Sequence, residues 1–223
     1  MADRWRSDWA AKKQKLALEL NDGACGGSYG EAVLIFCAAL SALAAEVWPG
    51  TNIDRKRFVH FLKRFAGPEL SATSISVPIL AASLRRKRKR GPLKRLTQAY
   101  LNYDQSRVLT GREVDKSEKE IFSVCPSLKR KEVRECSYAN LLYRELRSGY
   151  VHEYRPRGKT VSWPMTQDKN THVSYFNWVH DLDRHIYFHV TWLSALLTIS
   201  ANAVDEISHR LPLRKPRRWW VDG

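Results

Sequence analysis

Arg147 and His152, in the run Arg147-Ser148-Gly149-Tyr150-Val151-His152, are the residue types best suited in this chain to joint work on a phosphodiester. Cleaving RNA without a metal needs a group that moves protons and a cation that stabilises the phosphorane. Histidine titrates near neutrality and supplies the first, a contribution of roughly 10²–10⁴-fold. Arginine keeps its charge at any working pH and grips phosphate with a planar fork. Spacing alone does not single the pair out. With 23 Arg and 7 His, an R-x4-H pair arises by chance about once in such a chain. The chain holds three: Arg55 with His60, Arg147 with His152, and Arg184 with His189. His60 sits among Phe58 and Phe61 at helical spacing, and His189 lies on an apolar stripe, so both read as structural. The Arg147 pair is the one joined to a small Ser-Gly step able to break a helix.

Geometry limits this pair. Residues five apart on an ideal helix are about 140° apart, so Arg147 and His152 diverge unless Gly149 bends the chain or a second copy supplies the partner. Glu145, Ser148 and His152 fall instead at i, i+3 and i+7 on one stripe. Glu145 is therefore either an orienting carboxylate for the imidazole or a surface acid paired with a Lys or Arg.

The motif resembles the R-x4-6-H signature of the HEPN superfamily. A second limb lies in Glu31 to Ala66, whose AVLIFCAALSALAAEVW and RKRFVHFLKRFA look like the paired helices of solitary bacterial HEPN-like proteins. The resemblance implies a mainly α, HEPN-like helical bundle that dimerises and joins two motifs at a cleft. It also implies metal-independent endoribonuclease chemistry leaving a 2′,3′-cyclic phosphate, of toxin or phage-defence type, with a cognate antitoxin or regulator as a possible partner. Arg147 would hold the phosphate and His152 the proton. Ser148 stands in the polar slot where Asn, Asp or His is usual, and its short hydroxyl reaches less far. Non-catalytic HEPN-like modules that bind RNA or a nucleotide, and purely structural dimer subunits, are the alternatives.

Charge points the same way. Lys and Arg outnumber Asp and Glu by 38 to 23, giving +15 at pH 7, so a polyanion such as RNA is the natural partner. The densest cations are Arg85, Arg86, Lys87, Arg88, Lys89 and Arg90, followed by Lys94 and Arg95. This run suits an RNA backbone, or forms a solvated loop. The C-terminal Arg214, Lys215, Arg217, Arg218, Trp219 and Trp220 join cations to rings able to stack on bases or to dock on a partner subunit.

These residues need elements to position them. Helices are expected over Ser7–Leu20 (apolar face Trp9, Leu16, Leu20), Glu31–Trp48 behind a Ser28/Glu31 capping box, Asp54–Ala66 and Leu128–Tyr150. Leu70–Leu84 is ambiguous, because Ile75, Val77 and Ile79 alternate like a strand that Pro78 interrupts. Arg107–Glu120 reads as loop or frayed helix. Val161, Trp163 and Met165, then Val173, Tyr175, Trp178 and Val179, alternate around a polar Gln167–Asn170 turn, giving a small β-hairpin over about 160–179. Asp181 then caps a last long helix to about His209. Residues 1–211 are expected to form one domain and 212–223 a basic, Trp-containing tail.

Nothing demands a metal or cofactor: His185 and His189 are one helical turn apart but lack an evident third ligand. Cys25, Cys37, Cys125 and Cys136 show no close pairing, which favours a reducing, cytoplasmic setting. Ala32–Ala45 is uncharged but too short for a bilayer of about 30 Å, and His185–Val204 reads as a buried core helix, so no membrane partner is expected.

Overall fold

A computed structural model describes residues 4–102, 107–162, 171–177 and 183–221. The fold is mainly helical, with one small antiparallel sheet. Its centre is α2 (Tyr29–Val47), which packs against α1 (Trp5–Asn21), α3 (Asp54–Phe65) and α11 (Val190–Glu206). Val33, Phe36, Leu40, Leu43 and Val47 on α2 are buried at i, i+3, i+7, i+10 and i+14, the apolar stripe of a core helix. Ser28 caps it, its Oγ accepting the Gly30 N–H and donating to Glu31. At 19 residues α2 exceeds the uncharged stretch seen in sequence, and by length and composition it is apolar enough to cross a membrane. More than half of its most apolar window is buried inside the fold, the same pattern a core helix gives.

α1 corrects the expected face. Its buried residues are Arg6, Ala10 and Ala17, whereas Leu16 is exposed. Small side chains let α1 lie close against α2, so the large apolar residues are left at the edge. Its own N-cap residue offers no side-chain cap. Asp205 of α11 substitutes: its carboxylate accepts the Ser7 N–H at 2.9 Å and Arg6 Nη1 at 3.2 Å.

The ambiguous segment resolves as helix. α4 (Val77–Arg86) carries Pro78 in its first turn, where a missing N–H costs nothing. Ser76 Oγ accepts the Ile79 N–H at 3.4 Å, and Asp115 Oδ1 accepts the Val77 N–H at 3.0 Å. Only Ile75 keeps strand character, bridging Lys116 and Ser137. α5 (Arg90–Tyr100) follows. The expected loop over Arg107–Glu120 holds β1 (Leu109–Thr110), α6 (Gly111–Val114) and the start of α7 (Glu118–Val124), the last two opened by Thr110/Glu113 and Ser117/Glu120 capping boxes.

The helix expected over Leu128–Tyr150 is α8 (Arg130–Arg134), a break, then α9 (Tyr138–Leu141), a π-helical turn (Leu142–Arg147) and α10 (Ser148–Glu153). The break is fixed from outside: Tyr138 and Ala139 N–H donate to Ser74 and Ala72 carbonyls.

β2 (Val173–Phe176) pairs antiparallel with β1 and with β3 (His185–Phe188), so the sheet order is β1-β2-β3. The hairpin insertion is therefore real but displaced. Its second strand lies where the last helix was expected to begin. His185-Ile186-Tyr187-Phe188 satisfies period 2 as well as period 3.6, and pairing with β2 decides between them. The last helix accordingly starts at Val190, with His189 as N-cap. Trp163, Met165, Gln167–Asn170, Trp178, Val179 and Asp181 lie outside the described residues.

The C-terminal segment is not a free tail. The Leu213 N–H donates to the Val47 carbonyl at 2.9 Å, and Trp219 and Trp220 are buried. All four cysteines are free thiols; Cys37, Cys125 and Cys136 are buried.

Under the sheet, Asp115 Oδ2 receives the hydroxyls of Tyr138 and Tyr175, while Tyr175 also reaches Ser76 Oγ at 2.7 Å. Asp115 keeps some exposed surface as a residue, yet its carboxyl is enclosed. Burial outweighs these hydrogen bonds and pushes its pKa from 3.8 up to about 7. The folded chain thus binds a proton that the unfolded chain has released between those values, so this group's contribution to stability is full below about pH 4 and lost as pH rises through about 7. His60 and His172, both held below the usual histidine value chiefly by burial, act with the opposite sign, gaining stability as pH rises. Chemical denaturation of wild type and Asp115→Asn from pH 4 to 8 isolates the carboxyl. Relative to the variant, wild type should lose stability as pH rises; parallel profiles would refute the assignment.

Candidate functional site

Arg147 ends the π turn. Its guanidinium lies 5.0 Å from the centre of the Tyr143 ring, with Nη1 3.5 Å from the Tyr143 hydroxyl and Nε 3.4 Å from Ser41 Oγ on α2. A guanidinium carries five N–H donors, and no carboxylate pairs with this one among the described residues. Sequence reasoning passes over Tyr143, although its i, i+4 relation to Arg147 is legible there. Burial raises its phenol pKa, opposed by the positive charges of Arg147, Arg55 and Arg57. The half-buried ring packs on Phe58 of α3 and carries the Arg147 guanidinium on its face.

His152 is exposed near the end of α10 and makes no hydrogen bond among the described residues. Of the two ways the pair could converge, a bend at Gly149 is absent, since α10 runs unbroken from Ser148 to Glu153. Gly149 serves a different purpose: a Cβ there would lie 2.4 Å from the Arg155 carbonyl oxygen. The residue is glycine because the chain folds back across it, not because it hinges. With a continuous helix, Arg147 and His152 point apart within one chain. Ser148, between them, is the half-buried first residue of α10.

Glu145 belongs elsewhere. It pairs with Arg144, its carbonyl accepts the Arg157 N–H at 2.9 Å, and its carboxylate fills the space beside Gly158. The π turn inserts an extra residue per turn, which shifts Glu145 out of the stripe that an ideal helix would share with His152. Of the two roles open to it by spacing, the salt-bridged acid is the one present.

The two other R-x4-H pairs are separated into structural work. His60 stacks on Trp48 at 4.9 Å and accepts the Arg217 N–H on Nδ1 at 3.0 Å. Burial, reinforced by Lys63 and Arg64, lowers its pKa to about 4, so it stands neutral. Arg55 donates to Asn140 and lies 4.4 Å from the Trp220 ring centre. His189 meets Ser174 Oγ at 2.7 Å, and buried Arg184 donates to the Arg107 carbonyl at 2.8 Å. His185 sits on β3 and His189 at a helix N-cap, so their helical spacing does not exist.

The basic run is not a loop throughout. Arg85 and Arg86 close α4, where cations oppose the helix dipole favourably, and Arg90 opens α5. Arg85 pairs with Asp183, while Lys87 and Lys89 reach Glu132 at 3.6 and 2.8 Å. Arg86, Arg88 and Arg90 carry no ion pair among the described residues, and Arg95 donates to Ser127 Oγ at 3.2 Å. Lys94 is exposed. Arg86 also lines, with Arg144 and Lys87, an open cleft of about 320 Å³ that reaches Cys136. Two carboxylates thus meet three of the six cations, and Arg86, Arg88 and Arg90 are the ones left without an ion pair among the described residues.

Sequence reasoning also passes over Gly26-Gly27-Ser28-Tyr29-Gly30, which matches G-x-S-x-G, the nucleophile elbow of many hydrolases. Ser28 follows a 3₁₀ turn instead of a strand, has ordinary extended backbone, and spends its hydroxyl on capping α2. No histidine among the described residues lines the cavity around it. It is a cap.

No known family, characterised protein or solved structure matches the chain. Fold and surface define a mainly helical protein with a small antiparallel sheet, Arg147 over the Tyr143 ring in a π turn, and His152 exposed on the helix that follows.

Proposed function

We propose that the chain acts on RNA as a metal-independent, HEPN-type endoribonuclease, of the toxin or phage-defence kind, whose site is completed by a second copy. One observation carries this reading: Arg147, at the end of the π turn, has no carboxylate partner among the described residues, and His152 is exposed on the helix that follows directly. In the reaction, the 2′-hydroxyl attacks the adjacent phosphorus and the bond to the 5′-oxygen breaks, giving a 2′,3′-cyclic phosphate and a 5′-hydroxyl. His152 transfers the proton and Arg147 neutralises the phosphorane oxygens. Purified protein in EDTA should cleave single-stranded RNA to products ending in cyclic phosphate; intact RNA would defeat the reading.

A second reading, a non-catalytic RNA-binding module, is favoured by the divergence of Arg147 and His152 within one chain and by Tyr143 beneath the guanidinium. It predicts binding without cleavage. Both readings place RNA backbone on the free cations of the basic run. Replacing Arg86, Arg88 and Arg90 by Gln should then weaken RNA binding and lower the slope of log K against log salt by about 0.7 for each phosphate no longer neutralised. Replacing Arg85, Lys87 and Lys89, already ion-paired, should change the slope less. Equal slopes for both triple variants would remove the distinction.

A further inference from the structure

A cavity of about 620 Å³ opens beside the end of α10 and is walled largely by tyrosines. That volume lies within the roughly 300–1,000 Å³ of small-ligand sites. Tyr29, Tyr150 and Tyr187 are buried and form its inner wall, while Tyr154, 60% exposed, stands at the mouth. Tyr29 stacks on Tyr187 at 4.8 Å and its hydroxyl donates to the Phe188 carbonyl. Tyr187 is 2% exposed, lines the cavity, and its hydroxyl makes no hydrogen bond among the described residues. The ring is buried, but the hydroxyl opens onto the cavity, where it can exchange water for another acceptor. It is the polar contact a ligand in this cavity would find.

Two backbone features hold the mouth in this shape. Tyr154 has φ +54°, a left-handed conformation that a non-glycine residue adopts only under constraint. Its ring stands edge-on to Tyr150 at 6.4 Å. Gly30 allows the Tyr150 ring to come within 3.0 Å of where a Cβ would be. Arg155 follows at the rim, paired with Glu153 at 3.5 Å by a side chain that remains 77% exposed. So exposed an ion pair contributes little, and a phosphate can displace it. Aromatic faces, an inner donor and a rim cation are the elements of a single-stranded nucleic-acid site.

We propose that this cavity takes a nucleobase of single-stranded RNA, stacked on Tyr154, with the adjoining phosphate at Arg155. His152 lies two residues before Tyr154, so the base would belong to a nucleotide close to the scissile bond. The inference rests on the RNA-directed reading above.

The test is fluorescence-anisotropy binding of a labelled 2′-O-methyl oligoribonucleotide, which lacks the attacking hydroxyl and stays intact. Tyr154→Ala should weaken binding about five- to 150-fold, the usual range for loss of one stacked base, without changing the salt slope. Tyr154→Phe, which keeps the ring, should bind as wild type. Because Tyr154 is exposed, both variants should fold, as circular dichroism would verify. Wild-type affinity in Tyr154→Ala, or an equal loss in Tyr154→Phe, would overturn the cavity proposal alone. Tyr154-dependent binding of AMP or UMP with Tyr154-independent binding of the oligomer would also overturn it, assigning the cavity to free nucleotides. Failure of wild type to bind the oligomer at low salt would overturn both this proposal and the RNA-directed reading.

Discussion

Arg147→Ala and His152→Ala proteins are each expected to lose RNA cleavage by about 10²–10⁴-fold, yet to recover it in part when mixed. The reason is the unbroken helix. α10 follows the π turn with no break at Gly149, and a five-residue helical step sets Arg147 and His152 about 140° apart in one chain. If a working site takes Arg147 from one copy and His152 from the other, each single variant lacks a group in both sites of its dimer. A mixed dimer regains one complete site, containing the Arg147 of the His152→Ala chain and the His152 of the Arg147→Ala chain. Random exchange makes about half the dimers mixed, each with one of two sites intact, so activity near a quarter of wild type is expected. Cleavage measured in EDTA after co-refolding the two variants gives the answer. A mixture as inactive as its components would exclude the two-copy site. Loss of activity in only one variant would show that the two residues do not act as a pair.

Trp219→Ala and Trp220→Ala should each lower stability by about 3–5 kcal/mol, the range for emptying a buried tryptophan site. For a chain of this size that is a fall in melting temperature of about 6–20 °C. The two indoles fasten the C-terminal segment to the body. The Trp219 ring centre lies 5.0 Å from the Arg134 guanidinium and 5.5 Å from Lys63 Nζ, and its carbonyl accepts Arg134 Nη1 at 2.6 Å. Trp220 lies under Arg55, which also holds Asn140 in α9. The two losses should not add in full, because both rings secure one segment. Had these rings served as stacking platforms for RNA bases, the double variant would keep its stability and lose affinity. Thermal denaturation beside RNA binding separates the outcomes: a lower melting point with unchanged affinity of the folded protein supports the fastening role.

Local periodicity is enough to define much of this protein. The core helix, expected from Glu31 and found from Tyr29, its Ser28 cap and the apolar stripe Phe58, Phe61, Leu62 and Phe65 follow from spacing, because a helix with one apolar face has few other ways to leave water. The excess of cations and the structural character of His60 and His189 are legible for similar reasons. Strand pairing is less so. His185–Phe188 suits a helix or a strand equally, and hydrogen bonding to Val173–Phe176 chooses the strand. Ile75–Ile79 goes the other way, because Ser76 and Asp115 supply the amide acceptors that begin a helix.

The candidate site divides along the same line. Arg147 and His152 stand out in sequence by type and spacing, since chemistry depends on side-chain identity. What each of them touches is decided by the fold. Gly149 looks like a hinge in a string of letters, and only the Arg155 carbonyl packed against it shows that it is a point of close approach. Glu145 leaves the His152 stripe because of a π turn that no local pattern signals. The six consecutive cations divide into paired and free ones because Asp183 and Glu132, distant in sequence, come to meet three of them. The tyrosine cavity gathers Tyr29, Tyr150, Tyr154 and Tyr187 from three separate stretches. Sequence thus determines which groups are present and which faces are apolar, because these are local properties. Tertiary structure determines neighbours, and with them charge, exposure and partnership, because those depend on residues far away along the chain.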